Sequence, residues 1–365
     1  MLSLIIYTIF IIICIFGWFS VKDYKVSKNQ TENILLSAVI CCKNEQENLP
    51  FLLCSIKSQM CDIEQIIFAN DNSTDETLKI LQDFSKKFTN VKIFSTNGFG
   101  KKNALKEAMQ FVENEYVITF DADCIVPKNY FSLVKNFLTK NRPDLMIGGV
   151  LLEPRTKNQK SICKKTLFFC LQALEFASLI ASTAGAALAK IPIMCNGANL
   201  AFRKEIWQNA ENHLVAKEIS GDDVFLLHYV KKIGGKILFF KAKNGFVKTF
   251  AAENFGTFLQ QRQRWASKSK SYSDKQTIFV MFLVLMINFI LVVSVIGAFF
   301  SKFLLNYFLI IFLFKMLIDS ILLVPFLIFT KQQKLIKFIP ILSIFYPFYI
   351  VFTAFYSFFG KIKWR

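Results

Sequence analysis

The stretch Tyr116-Val-Ile-Thr-Phe-Asp-Ala-Asp123 decides the fold class of this chain. Its first five residues are apolar or β-branched, which predicts a buried strand, and Asp121 and Asp123 follow where that strand ends. Two carboxylates this close repel each other unless a cation shares their charge, and oxygen ligands at a strand end suit Mg²⁺ or Mn²⁺. Two solvated turn aspartates are the competing interpretation.

Upstream of this stretch, the sequence alternates between strand and helix patterns. Three further strands are predicted: Leu36–Cys41, Gln65–Ala69 and Val91–Ser95. Helical patterns follow them: Glu47–Met60, Thr74–Phe88 and Lys101–Glu115. Asp71–Thr74 is predicted to cap the second of these helices. The order predicts an α/β fold with a mostly parallel central sheet covered by helices on both faces.

Polar residues follow each predicted strand, where ligands bind in sheets of this kind. They are Lys43, Asn44 and Glu45, then Asp71, then the turn Gly98–Lys102, then Asp121 and Asp123. Taken singly, each has a plain structural explanation, such as a helix cap for Asp71. Together they predict one site for a phosphate-bearing ligand at the carboxyl edge of the sheet.

Two downstream motifs also carry chemistry. Ser220-Gly-Asp222-Asp223 precedes an apolar helix. One acid there suits a general base and the other a positioning group, and stabilisation of the helix dipole is the alternative. Gln261-Arg-Gln-Arg264-Trp265 precedes an apolar span. Arg264 suits the binding of a diphosphate, and Trp265 suits stacking on a substrate ring. A motif that only marks the membrane boundary is the alternative.

Four apolar stretches predict membrane segments: Leu2–Val21, Thr277–Phe300, Phe303–Phe329 and Phe338–Phe359. We interpret the first as an anchor, and predict that Lys315 and Asp319 neutralise each other inside the third. If the fourth spans the membrane, the basic tail Lys361–Arg365 violates the positive-inside rule, so a re-entrant segment stays open. The predicted domains are an anchor at 1–21, a cytoplasmic domain at 30–275 and a C-terminal region of two to three spans at 277–359.

Composition limits the class of protein and its partners. Hydrophobic residues make up 53% of the chain and the net charge is +18, which argues against a soluble enzyme and against disorder. The positive charge suits anionic lipid headgroups and a phosphate-bearing substrate, and no motif indicates nucleic acid. The nine cysteines are odd in number and contain no Cys-x-x-Cys pair, so neither zinc nor disulfides are predicted. We predict an integral cell-membrane protein.

Six motifs occur in a fixed order along residues 35–270. They are Val39-Ile-Cys-Cys-Lys-Asn-Glu45, Asn70-Asp-Asn-Ser-Thr-Asp75, Asp121-Ala-Asp123, Asn196-Gly-Ala-Asn-Leu-Ala-Phe-Arg203, Gly221-Asp-Asp223 and Gln261-x-x-Arg264-Trp265. This series resembles the membrane-bound branch of the family 2 glycosyltransferases. The last motif is similar to that of processive synthases and ceramide glucosyltransferases. Asp222, where many relatives have Glu, and Asn70, where an acid is common, depart from the pattern.

The resemblance implies a GT-A fold, a nucleotide-diphosphate-sugar donor and inversion at the anomeric carbon. It implies donor-side roles for Glu45, Asp71, Lys101, Lys102 and Asp121. It implies a divalent cation, Mg²⁺ or Mn²⁺, held by Asp123 with Asp121. It implies acceptor-side or product-side roles for Asn196, Gly197, Asn199, Gln261, Arg264 and Trp265. It implies that Asp223 is the general base, with Asp222 beside it.

Three functions remain open at this point. The preferred one is the addition of a sugar to a lipid or lipid-linked hydroxyl at the cytoplasmic membrane face. A processive polysaccharide synthase is the alternative, placed second because a single chain offers few segments for a channel. An inactive membrane scaffold that binds nucleotide-sugar is the third, disfavoured because every candidate acid is present. The donor base, the sugar and the oligomeric state are not readable from the sequence.

Overall fold

The computed structural model describes residues 2–26, 34–155, 166–211 and 222–359, with side chains to residue 356. Gly221 and the basic tail Lys361–Arg365, both used above, lie outside the described residues. By its internal contacts the chain divides into two compact units. We call residues 22–151 and 194–250 the sheet unit, and residues 1–21, 152–193 and 251–365 the apolar unit. The predicted boundaries of the anchor, the cytoplasmic domain and the C-terminal spans describe membrane topology, and they stay predictions.

The sheet unit is built on a seven-stranded sheet in the order β3-β2-β1-β4-β7-β5-β8. The strands of this sheet are β1 (Leu36–Cys42), β2 (Gln65–Asn70), β3 (Val91–Ser95), β4 (Tyr116–Asp121), β5 (Leu145–Ile147), β7 (Leu200–Arg203) and β8 (Ile237–Phe239). Strands β6 (Val150–Glu153) and β9 (Val247–Phe250) lie outside it. The prediction of a mostly parallel sheet is confirmed, and β7 alone in this sheet runs antiparallel to its neighbours.

The strand residues explain this arrangement. All six residues of β2 are buried, and five of the six in β4 are buried. A strand buried on both faces reads as a continuous apolar run, which is why the sequence pattern found these strands. Strand β3 lies at the edge of the sheet, and none of its residues is fully buried.

The helices of the sheet unit connect these strands. They are α2 (Leu49–Lys57), α3 (Thr77–Ser85), α4 (Lys101–Met109), α5 (Tyr130–Asn141), α7 (Lys204–Ala210) and α8 (Asp222–Lys232). The predicted cap at Asp71–Thr74 is wrong, because α3 begins three residues later, at Thr77. The intervening side chains bind the loop after β1 instead: Ser73 Oγ accepts the Asn44 N–H at 3.1 Å, and Asp75 accepts the Gln46 N–H at 3.1 Å.

The apolar unit holds the long apolar helices. They are α1 (Leu2–Ser20), α6 (Leu167–Leu188), α10 (Lys275–Ala298), α11 (Lys302–Phe329) and α12 (Ile339–Phe359), and the shorter α9 (Phe255–Ser267) precedes α10. Within the described residues, five segments are long and apolar enough to cross a membrane. Four of them match predicted segments. The fifth is α6, and most of its residues are buried.

Helices α1 and α6 approach each other closely at two glycines. A Cβ at Gly17 would lie 2.1 Å from the Gly185 carbonyl oxygen, and a Cβ at Gly185 would lie 2.5 Å from the Cys14 carbonyl oxygen. Small residues allow this approach of two backbones, as in many membrane helix pairs. The contact brings α1, from the start of the chain, against a helix from its middle.

The predicted neutral pair inside α11 is confirmed. Lys315 Nζ lies 2.7 Å from Asp319 Oδ2, and the hydroxyl of Tyr7 on α1 donates to Asp319 Oδ1 at 2.7 Å. The ammonium group also lies 5.2 Å from the centre of the Tyr7 ring. These contacts compensate a charge that would be costly among apolar helices.

Candidate active site

The carboxyl ends of β1 and β2 meet at Asp71. This side chain is only 2% exposed, because the loop that precedes α4 and the end of β1 both contact it. The Gly100 N–H donates to Asp71 Oδ1 and Oδ2, each at 3.0 Å, and Lys43 Nζ lies 3.4 Å from Oδ2. The predicted clustering of strand-end residues is therefore present at this corner of the sheet.

Lys101, the first residue of α4, forms an ion pair with Asp121 at the end of β4. Burial lowers the pKa of Lys101, but the Asp121 carboxylate outweighs this effect, so the pKa rises above its usual value. The charge of Asp223 acts on Lys101 in the same direction. One lysine therefore lies among acids that the sequence separates by more than a hundred residues.

Asp123 differs from Asp121 in its surroundings. Its Oδ2 accepts a hydrogen bond from the Thr249 hydroxyl at 2.8 Å. Its Oδ1 is buried and, among the described residues, has no hydrogen-bond partner. Burial and then the neighbouring Asp121 charge raise the pKa of Asp123 to about 6. A buried carboxylate oxygen without a donor is costly, so a positive ligand there would be favoured.

A divalent cation fits this position only with help from a ligand. Among the described residues, no group of three or more His, Cys, Asp or Glu side chains is placed to hold a metal ion. The protein thus supplies few oxygens, and Mg²⁺ commonly binds through one or two carboxylates plus substrate phosphates. The free Oδ1 of Asp123 and the adjacent Asp121 agree with such a shared site.

Asp222 and Asp223 lie at the start of α8. Asp223 Oδ2 accepts the Gly197 N–H at 2.9 Å, and its Oδ1 accepts the Val224 N–H at 2.9 Å, so the carboxylate is fixed. Asp222 is 7% exposed, and among the described residues its buried Oδ1 has no hydrogen-bond partner. Burial and then the Asp223 charge raise the pKa of Asp222.

The remaining donor-side candidates surround the same corner. Lys102 acts electrostatically on Asp222. The Glu45 carboxylate accepts a hydrogen bond from the Asn48 amide at 2.6 Å. The backbone N–H of Glu45 donates to Thr77 Oγ1 at 2.7 Å. Burial raises the pKa of the Cys41 thiol, and the charges of Lys101, Asp121, Asp222 and Asp71 also act on it, so all four groups lie near Cys41.

The acceptor-side candidates of the sheet unit have different surroundings. Asn196 accepts the Ala198 N–H at 3.0 Å, and Gly197 presents its backbone to Asp223. Asn199 is fully buried, and its amide donates to the Gly149 and Gly245 carbonyls at 2.8 and 3.0 Å. The Asn199 side chain is therefore enclosed and holds the backbone at Gly149 and Gly245, and its role on the acceptor side stays a prediction.

The Gln-x-x-Arg-Trp residues lie on α9 in the apolar unit. Gln261, Arg264 and Trp265 are partly exposed, whereas the intervening Arg262 is 4% exposed and forms an ion pair with Glu175 of α6. The Arg262 guanidinium lies 4.2 Å from the Trp265 ring centre. The buried arginine beside the tryptophan is thus Arg262 rather than Arg264.

The sequence analysis did not identify three residues that contact the candidates: Thr249 beside Asp123, and the buried pair of Arg262 and Glu175. Thr249 lies 126 residues from the acid to which it donates, and no local pattern connects them. A signal did exist for Glu175, because a single acid within an apolar, alanine-rich helix predicts a buried partner.

The raised pKa of Asp222 predicts a stability change. The folded state holds this proton more tightly than the unfolded state, so ionised Asp222 destabilises the fold at neutral pH. We expect Asp222→Asn to raise the melting temperature at about pH 8 and the gain to shrink as the pH falls toward the unfolded value of about 4. Differential scanning fluorimetry of the detergent-purified chain measures both.

The control for this prediction is Asp83→Asn on the surface of α3. The Lys86 side chain lowers the pKa of Asp83, so this variant should gain no stability at high pH. A wild-type chain that melts higher than Asp222→Asn at about pH 8 would contradict the prediction.

Comparison with known proteins identifies part of the chain. The profile of Glycosyl transferase family 2 matches residues 37–208. This range contains β1 to β4 together with Asp71, Lys101, Asp121 and Asp123. The α8 acids and the Gln-x-x-Arg-Trp residues lie beyond it.

Two curated relatives share the same part of the sequence. The poly-beta-1,6-N-acetyl-D-glucosamine synthase of Staphylococcus epidermidis is 34% identical over 161 residues, which are 43% of this chain and 35% of the relative. The synthase of the same name from Staphylococcus aureus strain COL is 28% identical over 160 residues, 44% of this chain and 36% of the relative. The match therefore spans about a third of the length of these relatives.

A solved structure matches almost the whole chain. The mannosyltransferase of Pyrobaculum calidifontis, solved in complex with GDP-Man and Mn²⁺, covers 94% of this chain, and 98% of its own length is matched. The TM-score is 0.54 and the sequence identity is 15%. Together with the family match, this likeness confirms the predicted GT-A fold.

Proposed function

We propose that this chain, which carries a family 2 glycosyltransferase domain over residues 37–208 and is an enzyme of that class, adds sugar units from a nucleotide-diphosphate sugar to a growing glycan. The observation that carries the proposal is the cluster at the carboxyl edge of the sheet. Lys101 forms an ion pair with Asp121 there, and the charge of Asp223 also raises the pKa of Lys101. Asp123, two residues after Asp121, has a buried oxygen with no hydrogen-bond partner among the described residues. The cluster supplies a cation, metal-binding oxygens and a base in one place.

Asp223 is the proposed general base. Two backbone N–H groups fix its carboxylate, and a carboxylate has about four acceptor positions, so it still has room to accept a proton from a hydroxyl. The hydroxyl attacks the anomeric carbon as the bond to the diphosphate breaks, which inverts the configuration in one displacement. Asp222 beside it stays a positioning group in this proposal.

Lys101 and a divalent cation are proposed to act on the leaving diphosphate. Asp123 would hold the cation with help from Asp121, and its buried unpaired oxygen supports this assignment. When bound, such a cation neutralises charge that grows on the diphosphate as the bond breaks. Lys101 adds a fixed positive charge at the N-terminus of α4, where a helix already favours anions. The role of Arg264 on the acceptor or product side stays a prediction from the sequence motif.

Polymer synthesis now stands ahead of single addition. The sequence analysis preferred one transfer to a lipid or lipid-linked acceptor, and that prediction stays untested. The curated relatives that share residues of the domain are named as synthases of a polymer of N-acetylglucosamine, which supports the alternative. We therefore propose N-acetylglucosamine as the transferred sugar. We also propose that the sheet unit lies at the cytoplasmic membrane face, as the basic residues after α1 indicate.

One experiment separates these functions. The full chain, purified in detergent or reconstituted in vesicles, is incubated with radiolabelled UDP-N-acetylglucosamine. We expect label in material that stays insoluble in organic solvent and grows in length with time. Label confined to solvent-extractable lipid would support single addition instead. Nucleotide-sugar binding without any transfer would support the inactive scaffold, and both outcomes would overturn the polymerase proposal.

Removal of divalent cations is expected to abolish transfer. Chelation should reduce the rate at least a hundredfold, because metal stabilisation of the leaving group contributes several kcal/mol. Excess Mg²⁺ or Mn²⁺ should restore the rate in the wild-type chain. Excess Mg²⁺ or Mn²⁺ should not restore the rate in Asp123→Ala. Full activity in excess chelator would remove the metal assignment, and an Asp123→Ala chain with full activity would move the cation elsewhere.

A further inference from the structure

Backbone hydrogen bonds hold strand β9 beside the turn that carries Asp123. The Ile125 N–H donates to the Lys248 carbonyl at 2.7 Å, and the Lys248 N–H donates back to the Ile125 carbonyl at 3.0 Å. The preceding residue, Val247, donates its N–H to the Gly149 carbonyl at 3.1 Å. Two segments that are distant in sequence therefore fix the position of this strand.

The side chains of β9 continue this arrangement. The ring of Phe250 packs against the Phe51 ring of α2, with ring centres 5.0 Å apart. Successive side chains of a strand point to opposite faces, so the preceding residue, Thr249, points away from this contact. The Thr249 hydroxyl lies 2.8 Å from Asp123 Oδ2. The strand thus presents a hydroxyl group to this carboxylate at a fixed place.

The Thr249 hydroxyl is the donor in this hydrogen bond. An ionised carboxylate can only accept, so the hydroxyl proton lies between Thr249 Oγ1 and Asp123 Oδ2. The bond opposes rotation of the carboxylate about its Cβ–Cγ bond. The second oxygen, Oδ1, is buried and has no hydrogen-bond partner among the described residues. Thr249 therefore determines which oxygen of Asp123 stays available to a ligand.

Stabilisation of the turn after β4 is the plain structural explanation of this bond. That turn, however, already has backbone hydrogen bonds of its own. The Cys124 N–H donates to the Asp121 carbonyl at 3.1 Å, and Ile125 pairs with Lys248 in both directions. What the Thr249 hydroxyl adds to these bonds is the orientation of one acidic side chain.

We propose that Thr249 is a positioning residue for the divalent cation, because it occupies Asp123 Oδ2 and so keeps Oδ1 for the cation. This inference rests on the proposed function, which takes Asp123 as the ligand of that cation. It goes further by naming the oxygen that binds. It also adds a residue that lies beyond the matched family profile, which ends at residue 208.

The proposal predicts a loss of metal affinity that leaves the reacting groups in place. In Thr249→Val, Asp123 Oδ2 loses its donor and the carboxylate is free to rotate, so more cation is needed to fill the site. Lys101 and Asp223 are unchanged, so the rate at saturating cation should approach the wild-type value. A purely structural role would lower the rate at every cation concentration.

Electron paramagnetic resonance with Mn²⁺ tests the proposal on the full chain in detergent, in the presence of UDP. We expect Thr249→Val to raise the Mn²⁺ dissociation constant by roughly ten- to a hundredfold, the usual effect of removing a side chain that orients a metal ligand. Thr249→Ser keeps the hydroxyl and should bind Mn²⁺ as the wild type does. The Mn²⁺ concentration for half-maximal sugar transfer should shift in parallel with the dissociation constant.

The matched control is Thr139→Val on α5. The Thr139 hydroxyl accepts the Ile34 N–H at 3.3 Å, so the same substitution there should leave the Mn²⁺ dissociation constant unchanged. Thr249→Val should fold, because valine has a similar shape and favours strands. If it melts far below the wild type, Thr249→Ala removes the same hydroxyl and provides the same measurement.

The proposal is overturned if Thr249→Val binds Mn²⁺ as tightly as the wild type. It is also overturned if Thr249→Ser loses as much affinity as Thr249→Val, because the hydroxyl would then not be the cause. In both cases a wild-type chain that needs a divalent cation for transfer leaves the proposed function intact. A wild-type chain that transfers sugar at full rate in excess chelator would refute the metal assignment and this inference together.

Discussion

Asp223→Asn is expected to lower the rate of sugar transfer by about two to four orders of magnitude, the usual contribution of a general base. Nucleotide affinity should stay near the wild-type value, because the substitution removes the base and keeps its shape. A modest loss of stability, about 1 kcal/mol, should accompany it. The cause is that Asp223 accepts the N–H groups of Gly197 and Val224 on different oxygens, and an asparagine has only one oxygen.

Initial rates with radiolabelled donor and calorimetry with UDP measure the two expected effects separately. Asp83→Asn serves as the control, since Asp83 is an exposed carboxylate on α3 that pairs with Lys86. This control should keep the wild-type rate. If Asp223→Asn keeps more than a tenth of the rate, Asp223 is not the base. An equal loss of UDP affinity would instead place Asp223 in donor binding.

Glu175→Gln is expected to destabilise the apolar unit strongly. Arg262 is 4% exposed, and its guanidinium pairs with Glu175 while lying 4.7 Å from the Phe258 ring centre. Removal of one partner from a buried ion pair typically costs about 3–5 kcal/mol, because the other charge stays buried and uncompensated. A glutamine keeps only one oxygen, so it could not present separate oxygens to Arg262 and to the Tyr349 hydroxyl, which lies 3.4 Å from Glu175 Oε1.

Thermal melting of the purified chain measures this effect. The double variant Glu175→Met, Arg262→Met should recover most of the lost stability, since apolar side chains of similar volume often replace a buried pair without cost. Glu253→Gln is the control, because it breaks the Arg155–Glu253 pair at the surface of the same unit, and such pairs contribute about 0–1 kcal/mol. Equal effects of Glu175→Gln and Glu253→Gln would contradict the prediction.

This pair also connects α6 with α9 inside the apolar unit. Gln172, one turn before Glu175 on α6, exchanges two hydrogen bonds with the Ala252 backbone at 3.0 and 3.1 Å. Two positions one turn apart on α6 thus hold the segment that leads into α9 and α9 itself.

Much of the fold could be predicted from short-range patterns. The four parallel strands β1 to β4 were found to within one residue at each end. For β1, β2 and β4 the reason is that strands buried on both faces are continuous apolar runs between polar turns. The start of α3 could not, because Ser73 accepts a backbone N–H of the loop after β1, and Asp75 divides its two oxygens between that loop and the Thr77 N–H at the start of α3. Side chains that cap in one context bond across a loop in another.

The sequence alone determined the class of fold, the presence of long apolar helices and the set of acids available for chemistry, since these depend on residue type and on spacing along the chain. The tertiary structure alone decided which groups are buried and paired. Asn199 is enclosed, Asp71 is covered by Lys43, and Arg262 rather than Arg264 is the buried arginine. The reason is physical: burial and charge pairing depend on neighbours that are distant in sequence, and only packing brings them into contact.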